Sequence, residues 1–200
     1  MATPSATGVQ DRRRRRTAAA ITSAAQELVI TRGLDGFTLD ELAECAGLSR
    51  RTLFNYFPSK LDAVVGAKPE LSADDEAQFV AGGPSGDLIE DVIAMTRRLV
   101  NTGELTSSEL VRTRQVFALE PRLIAHANER LEHDCAHMVE LILHREGAGF
   151  GRTRADLLIR VLACSLDVAL TRFLMLEDTP QPSWADVLAD TIREVRLLFR

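Results

Sequence analysis

Thr38-Leu39-Asp40-Glu41-Leu42-Ala43-Glu44-Cys45-Ala46-Gly47-Leu48-Ser49-Arg50-Arg51-Thr52-Leu53-Phe54-Asn55-Tyr56-Phe57-Pro58-Ser59-Lys60 reads as two short helices and the start of another. Thr38 with Glu41 three residues on is a capping box that opens the first of them. Leu39, Leu42, Ala43 and Ala46 form its buried face, and Gly47 stops it as a left-handed C-cap residue. Ser49 caps the next helix, Arg50 to Phe57, and Pro58 ends it; Ser59 with Asp62 caps one more, ending near Ala67. A three-residue turn with a leading glycine is what a DNA-binding helix-turn-helix needs. Ala43 is small where the two helices cross, Leu48 points back into the core, and Leu53 and Phe57 anchor the second helix. Arg50, Arg51, Thr52, Asn55 and Tyr56 are left facing outward. Arginine binds guanine bidentately, asparagine binds adenine, and hydroxyls suit phosphate oxygens. The blander alternative is an αα-hairpin inside a bundle, but a polar outer face without acids disfavours it.

The rest of the chain follows the same period. It has 200 residues, 46% hydrophobic and 26% charged, within the range of an ordinary folded protein. Apolar residues recur at three- and four-residue spacing almost throughout, which predicts an all-α fold. A helix is expected at 12–31 before the quoted stretch, and a short one near 73–80 after it. Longer helices are expected at 87–102, 107–119, 122–145, 152–176 and 183–199. Gly103, Pro121, the glycines between 147 and 151, Pro180 and Pro182 supply the stops. The expected organisation is a disordered tail at 1–11, a DNA-binding domain at 12–65, and an effector-binding and dimerisation domain at 66–200. No apolar run approaches the ~18 residues of a membrane span. With no apolar segment after the arginine block and three scattered cysteines, Cys45, Cys135 and Cys164, a cytoplasmic chain with free thiols is expected.

The charge is uneven. Residues 1–62 hold nine basic and seven acidic side chains, a net of +2, whereas the whole chain is −5. Arg12, Arg13, Arg14, Arg15 and Arg16 form a block that reads either as an arm to DNA or as a solvated run at a terminus.

The quoted stretch, with Gly33-Leu34-Asp35-Gly36-Phe37 before it, resembles the DNA-binding core of the TetR family of bacterial transcriptional regulators over about residues 12–65. A narrower resemblance, to the mycofactocin-type regulators of that family, rests on Ser49-Arg50-Arg51-Thr52 followed by Phe-x-Tyr-Phe-Pro-Ser-Lys. The resemblance implies a helix-turn-helix domain followed by a helical domain for effector and dimer partner. By it, Thr38 and Ser49 would contact phosphates, Arg50, Arg51 and Thr52 would enter the major groove, and Tyr56 and Lys60 would grip the backbone. Asn55 falls at a variable position. Phe54 stands where the family often has tyrosine, and it takes no polar contact.

Beyond that core the signals weaken. His126, His133, His137 and His144 lie within about 20° of one line on one helix. They face away from Ile124, Leu131, Cys135, Met138 and Ile142, so a solvated or subunit-edge face is expected rather than a metal site. The helices 152–176 and 183–199 are apolar enough to complete a core or, as the resemblance implies, to pair with a second copy. Leu162, Leu166, Leu170, Trp184, Leu188, Ile192 and Val195 are the candidate interface. Met95, Leu99, Val116, Phe117, Leu123, Met138, Leu141, Asp167 and Phe173 line an effector pocket or are ordinary core.

The expected function is a repressor that binds a palindromic operator as a homodimer and is released by a small, largely apolar effector, with no cofactor, metal or membrane partner. The alternatives are an activator or effector-independent DNA binder and, remotely, a metal-dependent enzyme using the histidines. No P-loop, G-x-S-x-G, H-E-x-x-H or dinucleotide fingerprint is present in the sequence.

Overall fold

The three- and four-residue apolar period resolves into helices, and the described residues contain no strand. The structure, a computed structural model, describes residues 6–68, 70–101, 107–147, 149–175 and 182–197. In chain order the helices are α1 (Ala6–Arg32), α2 (Leu39–Cys45), α3 (Arg50–Tyr56), α4 (Lys60–Val65), α5 (Ala73–Val80), α6 (Leu88–Asn101), α7 (Ser107–Leu119), α8 (Arg122–Glu146), α9 (Arg152–Met175) and α10 (Trp184–Leu197), with a 3-10 turn, Leu34–Gly36, after α1. The first helix starts six residues earlier than expected, at Ala6 instead of Arg12. Arginine is a strong helix former, so the basic block propagates the helix instead of fraying it. The rest of the expected tail, residues 1–5, and the expected helix end at Leu198 and Phe199 lie outside the described residues.

Packing divides the chain into two compact units that do not follow chain order. Residues 1–68 and 108–128 form the first, and residues 69–107 and 129–200 the second. In the first, Ile21, Ala25, Leu28 and Val29 of α1 meet Leu42, Ala43, Leu53, Phe57, Ala63 and Val64, together with Val116 of α7 and Leu123 of α8. Polar ties reinforce this packing. The buried Gln26 amide donates to the Val64 carbonyl (3.1 Å) and the Thr113 hydroxyl (3.2 Å), and its carbonyl accepts from Arg112 Nε (3.0 Å). Arg122 pairs with Asp35 after α1 (2.8 Å), and His126 meets Asp62 of α4 (2.8 Å).

The core of the second unit joins Phe79, Val92, Ile93, Met95, Cys135, Val139, Leu141, Ile142, Ala155, Ile159, Leu162, Ala169, Leu188, Ala189 and Ile192. Phe173 and Trp184 meet edge to face, centroids 5.8 Å apart. Arg145 and Asp91 form an ion pair (2.7 Å) with side chains 3% and 0% exposed. Arg196 bridges Asp87 (2.8 Å) and Glu90 (3.3 Å) at the surface.

Two expectations are redrawn by this packing. The candidate pocket residues are divided between the two cores. Val116 and Leu123 are buried in the first core with Phe117 against it, whereas Met95, Leu141 and Phe173 are buried in the second unit, where Met138 packs and Leu99 is half-buried. The side chain of Asp167 lies outside the described residues. A cavity lined by Asp75, Gln78, Phe79, Gly83, Pro84, Asp91, Ala94, Met95 and Arg98 has a volume of about 10 Å³, room for one water. Of the candidate dimer residues, Leu162, Leu188 and Ile192 are already covered within one chain, and Leu166, Leu170, Trp184 and Val195 are half-buried. The exposed apolar face of α9 is instead Leu157, Val161, Val168 and Met175, with Cys164 on the same line. A helix apolar on all sides has an inner and an outer face, and periodicity does not say which is which.

Candidate nucleic-acid interface

The pair α2–α3 is built by its caps. The Thr38 hydroxyl accepts from the Glu41 N–H (3.2 Å), and the Thr38 N–H donates to the Glu41 carboxylate (2.8 Å), completing the box. That backbone N–H, then the Thr38 hydroxyl and the more distant Arg32, hold the Glu41 carboxyl below its usual range. At the other end of α2, Gly47 takes φ 66°. The Leu48 N–H bonds the Ala43 carbonyl (2.8 Å) and the Gly47 N–H bonds that of Glu44 (3.0 Å), a Schellman closure. Ser49 then caps α3, accepting from the Thr52 N–H (3.1 Å), and Ser59 caps α4 in the same way through Asp62.

Leu53 and Phe57, both buried, pin the inner side of α3. Arg50, Arg51, Phe54 and Asn55 are exposed, and Thr52 and Tyr56 are half-buried, Tyr56 against the core. Of the outward set expected from the sequence, Arg50, Arg51 and Asn55 are on the exposed side of this short helix, whereas Thr52 is half-buried and Tyr56 turns toward the core. Its members are not equivalent. Arg50 pairs with Asp40 of α2 (2.9 Å) and has its guanidinium 5.6 Å from the Phe54 ring centroid. The Ser49 and Thr52 hydroxyls are 2.7 Å apart. Thr38 and Ser49 both serve as helix caps, and each is exposed.

Lys60 is placed differently from the expected backbone grip. Its ammonium donates to the carbonyls of Leu34 (2.7 Å) and Phe37 (2.5 Å) and lies 4.5 Å from the Phe37 ring centroid. It ties α4 to the turn before α2, a role that spacing alone does not signal because its partners are 23 and 26 residues away. Arg12 to Arg16 lie within α1, and Arg13 to Arg16 are exposed. The block expected as an arm is thus part of a helix, on which consecutive residues are 100° apart, so Arg13 to Arg16 point to different sides of α1.

The four histidines stand along α8 in different settings. His126 meets Asp62, His137 meets Glu76 (2.9 Å), and His133 and His144 are exposed. Among the described residues, no group of three or more His, Cys, Asp or Glu is placed to hold a metal ion. Ile124 and Leu131, expected on the buried face of α8, are exposed. The helix changes units after residue 128, and its buried face changes with it.

Residues 21–63 match the family model of the bacterial regulatory proteins of the tetR family. The chain carries a TetR-family DNA-binding domain. The match spans the end of α1, all of α2 and α3, and most of α4, the elements that present Arg50, Arg51 and Asn55. DNA binding in transcriptional regulation is therefore the role of this domain. Among solved structures, the chain is similar to one from Mesorhizobium loti MAFF303099 described as a TetR-family transcriptional regulator. The two are 17% identical, with 93% of this chain and 98% of the other covered and a TM-score of 0.48. No curated protein matches the chain. None of the searched helices is long and apolar enough to cross a membrane.

Proposed function

We propose that this TetR-domain protein is a repressor that binds a palindromic operator as a homodimer and leaves it when a small, largely apolar effector binds residues 66–200. The observation that carries the DNA-binding part is α3, held from inside by Leu53 and Phe57 and presenting Arg50, Arg51 and Asn55 to solvent. Binding as a two-fold dimer places two such helices about one DNA turn apart, ~34 Å. The effector acts by differential affinity for the two conformations of the dimer, which requires no chemistry.

Arg51→Ala is expected to weaken operator binding without loss of helical structure, because the side chain is exposed on the outer face of α3. A lost base contact relaxes discrimination at one position by about 1–3 kcal/mol, and a lost phosphate contact weakens all sequences alike. Gel shifts on matched and mismatched duplexes distinguish the two, and unchanged affinity on every duplex defeats the assignment.

For the dimer, the outer line of α9 is the better candidate. Leu157, Val161, Cys164 and Val168 follow the alternating four- and three-residue spacing of a helix-pairing seam, and Met175 continues it two turns on, past Thr171. The double variant Val161→Glu/Val168→Glu is expected to yield a folded monomer of half the wild-type mass by light scattering. Leu188→Glu, by contrast, places a charge at a site 1% exposed and unfolds the second unit. A 22.0 kDa wild-type monomer that still binds a palindrome tightly rules the dimer out.

A further inference from the structure

We propose that Phe54 is a base reader, its ring taking up the 5-methyl group of a thymine in the major groove beside a guanine bound by Arg50. The inference rests on the DNA-binding reading above and adds a residue that sets sequence preference. Phe54 is 41% exposed, and among the described residues of α1 to α4 it is the large apolar side chain left in water. A single exposed apolar residue is ordinary on a protein surface. What singles this one out is its place. It lies one helical turn after Arg50 and is followed by Asn55, on the helix whose inner side is already filled by Leu53 and Phe57. A phenyl ring neither donates to a phosphate nor pairs with a base acceptor. What a base edge offers to a hydrocarbon in the major groove is the thymine methyl, which cytosine lacks.

Arg50 completes the reader. Its guanidinium stands 5.6 Å from the Phe54 centroid and 2.9 Å from the Asp40 carboxylate. These contacts hold the planar fork on the outer side of α3 before any DNA arrives. The Asp40 bridge is exposed on both sides, so it holds loosely and gives way to the two acceptors of a guanine edge. Residues four apart on a helix are separated by about 6 Å along its axis. That is close to two base steps of ~3.4 Å along a strand. The thymine is therefore placed within two base steps of the guanine.

The test uses the full chain and duplexes enriched from a randomised library. Each thymine of an enriched duplex is replaced singly by uracil, which removes the methyl group and leaves the pairing intact. Affinity is measured for the wild type, Phe54→Ala and Phe54→Leu, with circular dichroism as the check on folding. Wild type is expected to lose about fourfold at one thymine per half-site, the effect of uncovering one methyl-sized group. That thymine lies within two steps of a guanine. Phe54→Ala is expected to bind the thymine and uracil duplexes equally, and Phe54→Leu, which keeps apolar bulk, to retain part of the difference. Indifference of the wild type to uracil at every position overturns the proposal, as does full discrimination by Phe54→Ala. A library that yields no enriched duplex overturns the DNA-binding reading itself, so the two failures are told apart.

Discussion

Replacing Arg145 by methionine is expected to cost about 3–5 kcal/mol of stability, the penalty of leaving a buried charge without its partner. The guanidinium donates to Asp91 (2.7 Å) and to the carbonyls of Phe79 (3.1 Å), Gly83 (3.2 Å) and Gly82 (3.3 Å), and it lies 4.8 Å from the Phe79 ring centroid. Asp91 also accepts from the Ser85 N–H (2.7 Å), the Ser85 hydroxyl (2.6 Å) and the Gly86 N–H (3.2 Å). Methionine preserves much of the hydrocarbon but leaves a fully buried carboxylate short of its counter-charge. Burial alone pushes the Asp91 carboxyl up; the Ser85 hydrogen bonds and Arg145 outweigh it and hold the group below its ordinary value of 3.8. A depressed carboxyl contributes stability above its unfolded value and loses it as pH falls through the folded one. The gap between wild type and Arg145→Met is therefore largest at neutral pH, where Asp91 is ionised, and narrows on acidification as that carboxyl takes up a proton, which it does first in the variant that lacks the counter-charge. Urea unfolding at several pH values measures this, and coincident midpoints at pH 7 would show that the pair contributes nothing.

Leu123→Ala is expected to cost about 2–5 kcal/mol, the range for truncating a buried leucine where the surroundings relax only in part. Leu123 is 0% exposed and sits in the same core as Ile21, Leu42 and Leu53. The loss should appear as faster amide hydrogen exchange in α1 to α4 and as weaker operator binding, although the residue lies far outside the segment 21–63. Exchange that changes only in residues 129–200 would place the side chain in the other core.

The contrast between these two sites shows what was legible in the sequence. The caps at Thr38, Ser49 and Ser59, the stop at Gly47 and the anchors Leu53 and Phe57 are local, because each partner lies within five residues or on the same helix face. The helical fold and the reading face followed from them. The Arg145–Asp91 pair joins residues 54 apart, and Gln26 reaches Thr113 across 87. No spacing rule covers such distances. Periodicity also marks which residues are buried without saying in which core. Spacing alone therefore groups Val116 and Leu123 with Met95 and Met138, and it gives α8 one apolar line although the buried face of that helix changes where the units divide. Lys60 shows a different limit. Its charge and position fit a phosphate grip, and the two carbonyls that hold it come from a turn whose geometry the sequence does not specify.

The first unit is assembled from two separate stretches of chain, and this bears on how such regulators exchange parts. A hybrid joined after Lys68 would carry α1 to α4 into a new protein and leave behind Val116, Leu123, Arg112, Thr113, Arg122 and His126. The transplanted reading head would arrive with an open hydrophobic seam and with Gln26, Asp35 and Asp62 facing side chains chosen for another lineage. Recombination at that joint is disfavoured, whereas a graft moving 1–68 and 108–128 together keeps the seam closed. Substitutions in α7 and at the start of α8 are thus tied to those in α1 and α4, and the two segments should drift through evolution as one.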